Sequence, residues 1–181
     1  MSASNDSFIS FMYMFLTIFG IIVLIALVIA VIHTVAMWKL FEKAGESGVM
    51  AIVPIYNVMQ QIKIATGKFT LAWVYLAIYI GYIVIESVLN FLPFFIQDAE
   101  ATAVITILLA IPSLVLSIGT MVIISYSNYM FAKSFGKSDV FCVLSIFFGA
   151  ITIIIMGFDK SIEYVGPRGI PQNNGFYNNY Y

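Results

Sequence analysis

The chain has 181 residues, of which 62% are hydrophobic and 9% charged. Soluble domains carry about 25% charged residues, so a water-exposed globule is excluded, and a net charge of −1 offers no basic field for nucleic acid. The single cysteine, Cys142, excludes an intramolecular disulfide and a multi-cysteine metal site; it reads as a small buried apolar residue.

The first residues, MSASNDSF, contain no Lys or Arg, so they lack the basic start of a secretory signal. The apolar run behind them continues to Trp38. Its uninterrupted length predicts a retained transmembrane helix over 8–38 rather than strands, with the polar start as a short outer tail. At about 1.5 Å per residue this run exceeds a hydrocarbon core about 30 Å thick, so it tilts or protrudes. Trp38 and Lys39 suit the headgroup level. His33, the only histidine, falls about one and a half turns inside that boundary. Its plain reading is a hydrogen-bonded interfacial residue, its sharper one a proton relay.

Residues 39–68 form the longest stretch of the first half that cannot sit in lipid. They hold Lys39, Lys43, Lys63 and Lys68, four of the eight basic residues. Gly45 and Gly48 break the first helix. Residues 49–53 are too short to span, and Pro54 ends them, which suits an interfacial or shallow re-entrant turn. Beyond it Ile55, Met59 and Ile62 share a helical face, among Asn57, Gln60, Gln61 and Lys63. This predicts an amphipathic helix lying in the interface, its amides facing water or a cavity. Gly67 and Lys68 close it.

A second span is expected over 69–91. It contains Glu86, an acid deep in an apolar run, which is costly to insert and therefore a functional-site candidate. The alternative is a hydrogen-bonded acid that fixes helix packing, with Tyr13, Thr17, Asn90 and Thr106 at compatible depths as its partners. Residues 92–100 read as a connector with Pro93, Asp98 and Glu100. The third span, 101–132, carries Pro112, expected to bend it. Its small and polar residues, among them Ser113, Ser117 and Asn128, suit close helix contact or the lining of a polar path. Residues 133–139 form a basic connector. The fourth span is expected over 140–158, and 159–181 as a polar, disordered tail. Residues 1–158 therefore make a single all-α domain, a polytopic integral membrane protein with four transmembrane helices.

Basic residues set the orientation. Four lie in the first connector, two in the third and two in the tail. With four spans, the first and third connectors are cytoplasmic and both termini lie outside. Were the last run a re-entrant hairpin, the C-terminus would be inside. The two cytoplasmic connectors also share a faint pattern: Phe41, Lys43, Gly45, Ser47 and Val49 match Phe131, Lys133, Gly136, Ser138 and Val140 with one residue inserted. This reads as a duplicated hairpin, or as glycine stops and lysines recurring at inner boundaries.

Trp38, Phe41, Lys43, Ala44, Gly45, Gly48, Pro54, Tyr56 and Asn57 together resemble the W-x-x-F-x-K-A-G-x-x-G…P-x-Y-N segment of an uncharacterised bacterial membrane family. That family is a domain of unknown function whose members are often labelled signal peptidase I. Ala132, Lys133, Phe135, Gly136 and Lys137 are similar to its A-K-x-F-G-K connector, and Tyr164 to Pro167 to its terminal Y-x-G-P. The resemblance implies a small four-helix membrane protein and supplies no activity. The peptidase label itself implies a serine and a lysine base in a β-rich outer domain. Here only Lys160 beside Ser161 would qualify, with no such domain to orient them. No catalytic, cofactor or metal site is expected, the chain containing no phosphate loop or zinc-ligand cluster.

The expected role is a structural or accessory component of the bacterial inner membrane. It would present Trp38, Lys39, Phe41, Lys43, Gly45, Gly48, Pro54, Tyr56, Asn57, Lys63 and Lys68 to a protein partner or to lipid headgroups. The alternative is a small oligomeric transporter or channel using Glu86, Ser113, Ser117 and Asn128. A membrane-embedded hydrolase is the third class.

Overall fold

A computed structural model of the chain describes residues 2–171. Among them there are six α-helices and two short 3-10 turns, and no strand: α1 (Ser2–Lys43), α2 (Pro54–Thr66), α3 (Thr70–Phe95), α4 (Ala99–Ser134), α5 (Asp139–Phe147) and α6 (Gly149–Phe158). Three helices, α1, α3 and α4, are long and apolar enough to cross a membrane, so this is an all-α membrane protein.

Helix ends follow from the residues that stop them. Gly45 takes φ +77°, and the Glu46 N–H donates to the Phe41 carbonyl at 2.9 Å, a Schellman stop on α1. Gly136 repeats it on α4 with φ +70°, Lys137 donating to the Ala132 carbonyl at 3.3 Å. The pattern shared by the two connectors is therefore a shared helix stop. Pro54 opens α2 where its missing N–H costs nothing. Asp98 caps α4 by accepting from the Glu100 and Ala101 N–H groups. Pro93, expected in the connector, lies inside α3, which continues to Phe95.

The stretch expected as one fourth span is two short helices. Phe148, at φ −120° and ψ +40°, separates α5 from α6. A straight helix over these residues would hold Lys137 and Asp159 about 30 Å apart, yet their side chains meet at 3.7 Å. The two helices therefore fold back as a hairpin, each reaching about half the depth of a bilayer core. Glycines permit the close fit. A Cβ on Gly149 would lie 2.7 Å from the Asn128 amide nitrogen, and one on Gly157 2.6 Å from the Ala36 backbone of α1.

The packed core sits at one end of the bundle. Ala36, Met37, Leu40 and Phe41 of α1 meet Phe131 and Ala132 of α4, Phe135 just past its end, Cys142 of α5 and Met156 of α6. A second cluster joins Met59 and Ile62 of α2 to Ala72 and Tyr75 of α3. Away from this end, residues 8–32 of α1 are exposed throughout, a surface that lipid can cover without loss. Residues 159–171, expected to be disordered, instead return over the core end, burying Ile162. The rest of the expected tail, residues 172–181, lies outside the described residues.

Candidate functional site

Every Lys and Arg of the chain lies at the core end: Lys39, Lys43, Lys63, Lys68, Lys133, Lys137, Lys160 and Arg168. Short contacts tie these segments together. The Lys63 ammonium meets Glu46 at 2.6 Å. Lys43 donates to the Asp159 carbonyl at 2.6 Å, which satisfies a carbonyl left open just past α6. Lys133 meets Asp139 at 3.2 Å. Five of the nine carboxylates share this end (Glu42, Glu46, Asp139, Asp159 and Glu163), leaving it at +3. The rest of the chain carries four carboxylates and no cation.

The three motif segments, far apart in sequence, converge here. Tyr164 donates from its hydroxyl to the Ile64 carbonyl at 3.1 Å and sets its ring edge-on to Phe135, 5.5 Å between centroids. The Val165 N–H donates to the Ser134 carbonyl at 2.8 Å. Pro167 rests on Gly67, and Gly169 on the Lys133 backbone. The Y-x-G-P segment is thus a strap holding α2 to α4.

The residues expected as an interaction surface divide into two groups. Phe41 and Gly48 are buried. The Trp38 indole lies where a Gly48 side chain would be, and its N–H donates to Glu42 at 2.6 Å. Asn57 donates to the Ala51 carbonyl at 3.0 Å, closing the 3-10 turn before α2. These contacts lie within the connector, while Gly45 and Pro54, which end α1 and open α2, are exposed. Lys39, Tyr56 and Lys68 are exposed. Tyr56 borders an apolar groove of about 370 Å³ with Val53, Met59, Phe69 and Trp73.

The amphipathic helix is α2, and its amides face protein. Gln60 and Gln61 are buried, and Gln61 donates to the Asn128 side-chain oxygen of α4 at 2.8 Å. The Gln60 amide nitrogen, the Asn57 side-chain oxygen and the Ser127 hydroxyl are buried without a protein partner. Sequence reasoning passed over Gln60 and Ser127 as sites; no spacing distinguishes them from the other polar residues of their helices.

Of the expected intramembrane set, two members meet. The buried Ser113 hydroxyl donates to the Glu86 carboxyl at 2.5 Å, joining α4 to α3. Asn128 belongs instead to Gln61, and the Ser117 carbonyl accepts from Thr120. The Ser161 hydroxyl donates to Asp159 at 2.6 Å.

Two carboxyl groups at this end are held below the ordinary carboxylate value. For Asp139 the cause is first its hydrogen bond from Lys133, then that from Tyr129. For Asp159 it is the Ser161 hydroxyl, then the Ser161 N–H, with the Lys137 and Lys43 charges adding to them.

An all-α membrane protein with its core and cations gathered at one end is the class that the fold and site define. Residues 49–167 match a family of unknown function, DUF5684, and the chain belongs to it. The match covers the Pro54–Asn57, 132–137 and 164–167 motifs and begins just after Gly48. The resemblance to an uncharacterised family is borne out at that level. No curated protein matches, and no solved structure does.

Proposed function

We propose that the protein is a non-enzymatic, multi-pass accessory component of a bacterial inner membrane, with its basic end as a platform on the cytoplasmic face. The observation that carries this reading is the charge division: +3 at one end, four carboxylates and no cation elsewhere. Short loops rich in Lys and Arg stay on the cytoplasmic side. In this topology α1, α3 and α4 cross and the α5–α6 hairpin re-enters, so the N-terminus lies outside and the strap inside. Both termini outside was the expectation for four full spans. It gives way because the hairpin returns the chain to the lysine-rich end. Lys68 and Arg168 flank the Gly67–Pro167 contact and are exposed, a surface suited to an acidic partner or to lipid headgroups. The Ser161 bond to Asp159 rather than to a lysine base supports a structural role for that serine.

The test is gentle extraction from the source membrane and mass spectrometry of the intact assembly. A stoichiometric foreign subunit, lost on changing Lys68 and Arg168 to Glu, supports the platform. A homo-oligomer without a foreign subunit turns the reading to the small transporter. That second reading draws on the Glu86–Ser113 bond between two long helices and on the three unpaired buried polar atoms near α2 and α4.

A further inference from the structure

Where α1 ends beside α6 there is an open hollow of about 460 Å³, lined by Lys39, Glu42, Lys43, Gly157, Phe158 and Lys160. Three of its six lining residues are lysines. The Lys39 ammonium stands 4.1 Å from the centre of the Phe158 ring. Lys43 is anchored on the Asp159 carbonyl, and Lys160 is exposed. Glu42, the one carboxylate in the lining, accepts from the Trp38 indole. The Asp159 carboxylate is taken up by Ser161 and Lys137. The hollow therefore keeps an excess of two positive charges.

Its floor is apolar and leads onto two exposed stripes. On α1, Val35, Ile32 and Val28 continue the Lys39 face at helical spacing; on α6, Ile155 and Ile151 continue from Phe158. Charged heads above apolar stripes match the two halves of a phospholipid, and basic pockets between helices at an anionic leaflet hold such headgroups. A free phosphate would use the lysines and leave the stripes without a role.

We propose that this hollow binds the phosphate-bearing headgroup of an anionic membrane lipid, whose acyl chains lie along the exposed stripes of α1 and α6. The proposal rests on the reading that the basic end faces the anionic leaflet. Its residues are distinct from the Lys68 and Arg168 surface.

The test uses the full chain purified in mild detergent. It is incubated with phosphatidylglycerol or phosphatidylcholine of identical chains, and retained lipid is counted by native mass spectrometry. The wild-type protein should hold phosphatidylglycerol in preference. Each lysine contributes about fivefold near the surface, so Lys39→Gln with Lys160→Gln should weaken retention about 25-fold. Lys68→Gln with Arg168→Gln should leave it within about twofold, because neither residue lines the hollow and salt screens exposed charges. Both pairs are exposed and Lys43 is untouched, so folding is preserved; the thermal midpoint checks this. Equal retention of the two lipids by the wild type overturns the proposal, as does equal loss in both variants, which would mean diffuse attraction alone. Displacement of the lipid by an equal concentration of soluble glycerol phosphate would make this a free-phosphate site and overturn the lipid assignment. Impermeant thiol labelling of a Lys160→Cys variant tests the topology separately. Labelling from the outer face refutes the platform, whereas lost lipid preference with correct labelling removes only this site.

Discussion

Lys137 stands just before α5 and Asp159 just after α6, and their side chains meet at 3.7 Å. That one distance closes the hairpin and brings the strap, residues 164–167, to the same end as both lysine-rich connectors. The pair is exposed in part, so its own attraction is small. Its significance lies in the hairpin it closes, which apolar packing of α6 on α1 and of α5 on α4 sustains.

The hairpin base should respond to acid and to little else. Asp139 and Asp159 are both depressed. A carboxylate lowered by folding stabilises the fold above its unfolded pKa, and that contribution disappears as pH falls through the folded value. Thermal unfolding in detergent should therefore be flat from neutral pH to about 5 and decline below about 4. The Asp139→Asn/Asp159→Asn variant should start lower at pH 7 and show a shallower acid decline. Parallel curves for variant and wild type would mean that other groups set the acid limit.

Gly157 and Gly20 offer a matched comparison. A Cβ on Gly157 would meet the Ala36 backbone at 2.6 Å, while one on Gly20 meets nothing within 4 Å. Gly157→Val should force α6 off α1 and destabilise by about 2 kcal/mol or more. Gly20→Val should stay within about 0.5 kcal/mol. Denaturant titration of the two variants, followed by tryptophan fluorescence, decides it. Equal losses would mean that the α1–α6 contact is not what holds the hairpin.

The helices were legible because apolar length is a one-dimensional property: α1, α3 and α4 follow from run length alone, and Gly45, Gly67 and Gly136 mark stops that the backbone requires. The hairpin was not legible. Residues 140–158 have the composition of a span, and Phe148–Gly149 contains no proline to mark a reversal. What decides the reversal is the Asn128 amide against Gly149 and the Gly157–Ala36 contact, and both depend on three-dimensional neighbours. The strap was missed for a related reason. A tail rich in glycine and asparagine looks solvated until Tyr164 and Val165 are seen bonded to the backbones of α2 and α4. Glu86 was identified from its cost in lipid, but depth along the helices pointed to Tyr13, Thr17, Asn90 and Thr106 as partners, whereas its carboxyl accepts from Ser113. The expected surface of 39–68 mixed two kinds of residue, since Trp38 and Lys39 are neighbours in sequence yet one supports the connector and the other faces outward.

Trp38 and Gly48 should behave as a coupled pair. Gly48→Ala places a methyl group into the indole, and Trp38→Ala removes a large, partly buried partner from the 3-10 turn. Each single change should cost about 1–3 kcal/mol. The double variant should cost less than the sum by about 1 kcal/mol, because the methyl then enters space the indole has left. Chemical denaturation of all four proteins gives the coupling energy. Strict additivity would show that the glycine is there for its backbone rather than for the tryptophan.

Glu86 and Ser113 discriminate between a packing role and a pathway. The Ser113 hydroxyl reaches Glu86 at 2.5 Å across the α3–α4 contact, and interhelical bonds of this kind contribute about 0.6–2 kcal/mol in a membrane. Glu86→Gln keeps an acceptor of the same shape and should leave stability within about 0.5 kcal/mol. Ser113→Ala should cost about 1 kcal/mol. For an accessory component, proteoliposomes carrying wild-type protein should show proton flux no greater than empty liposomes, and Glu86→Gln should change nothing. Flux above that background, abolished by Glu86→Gln while the protein stays folded, would establish the α3–α4 contact as a pathway and the transporter as the correct class.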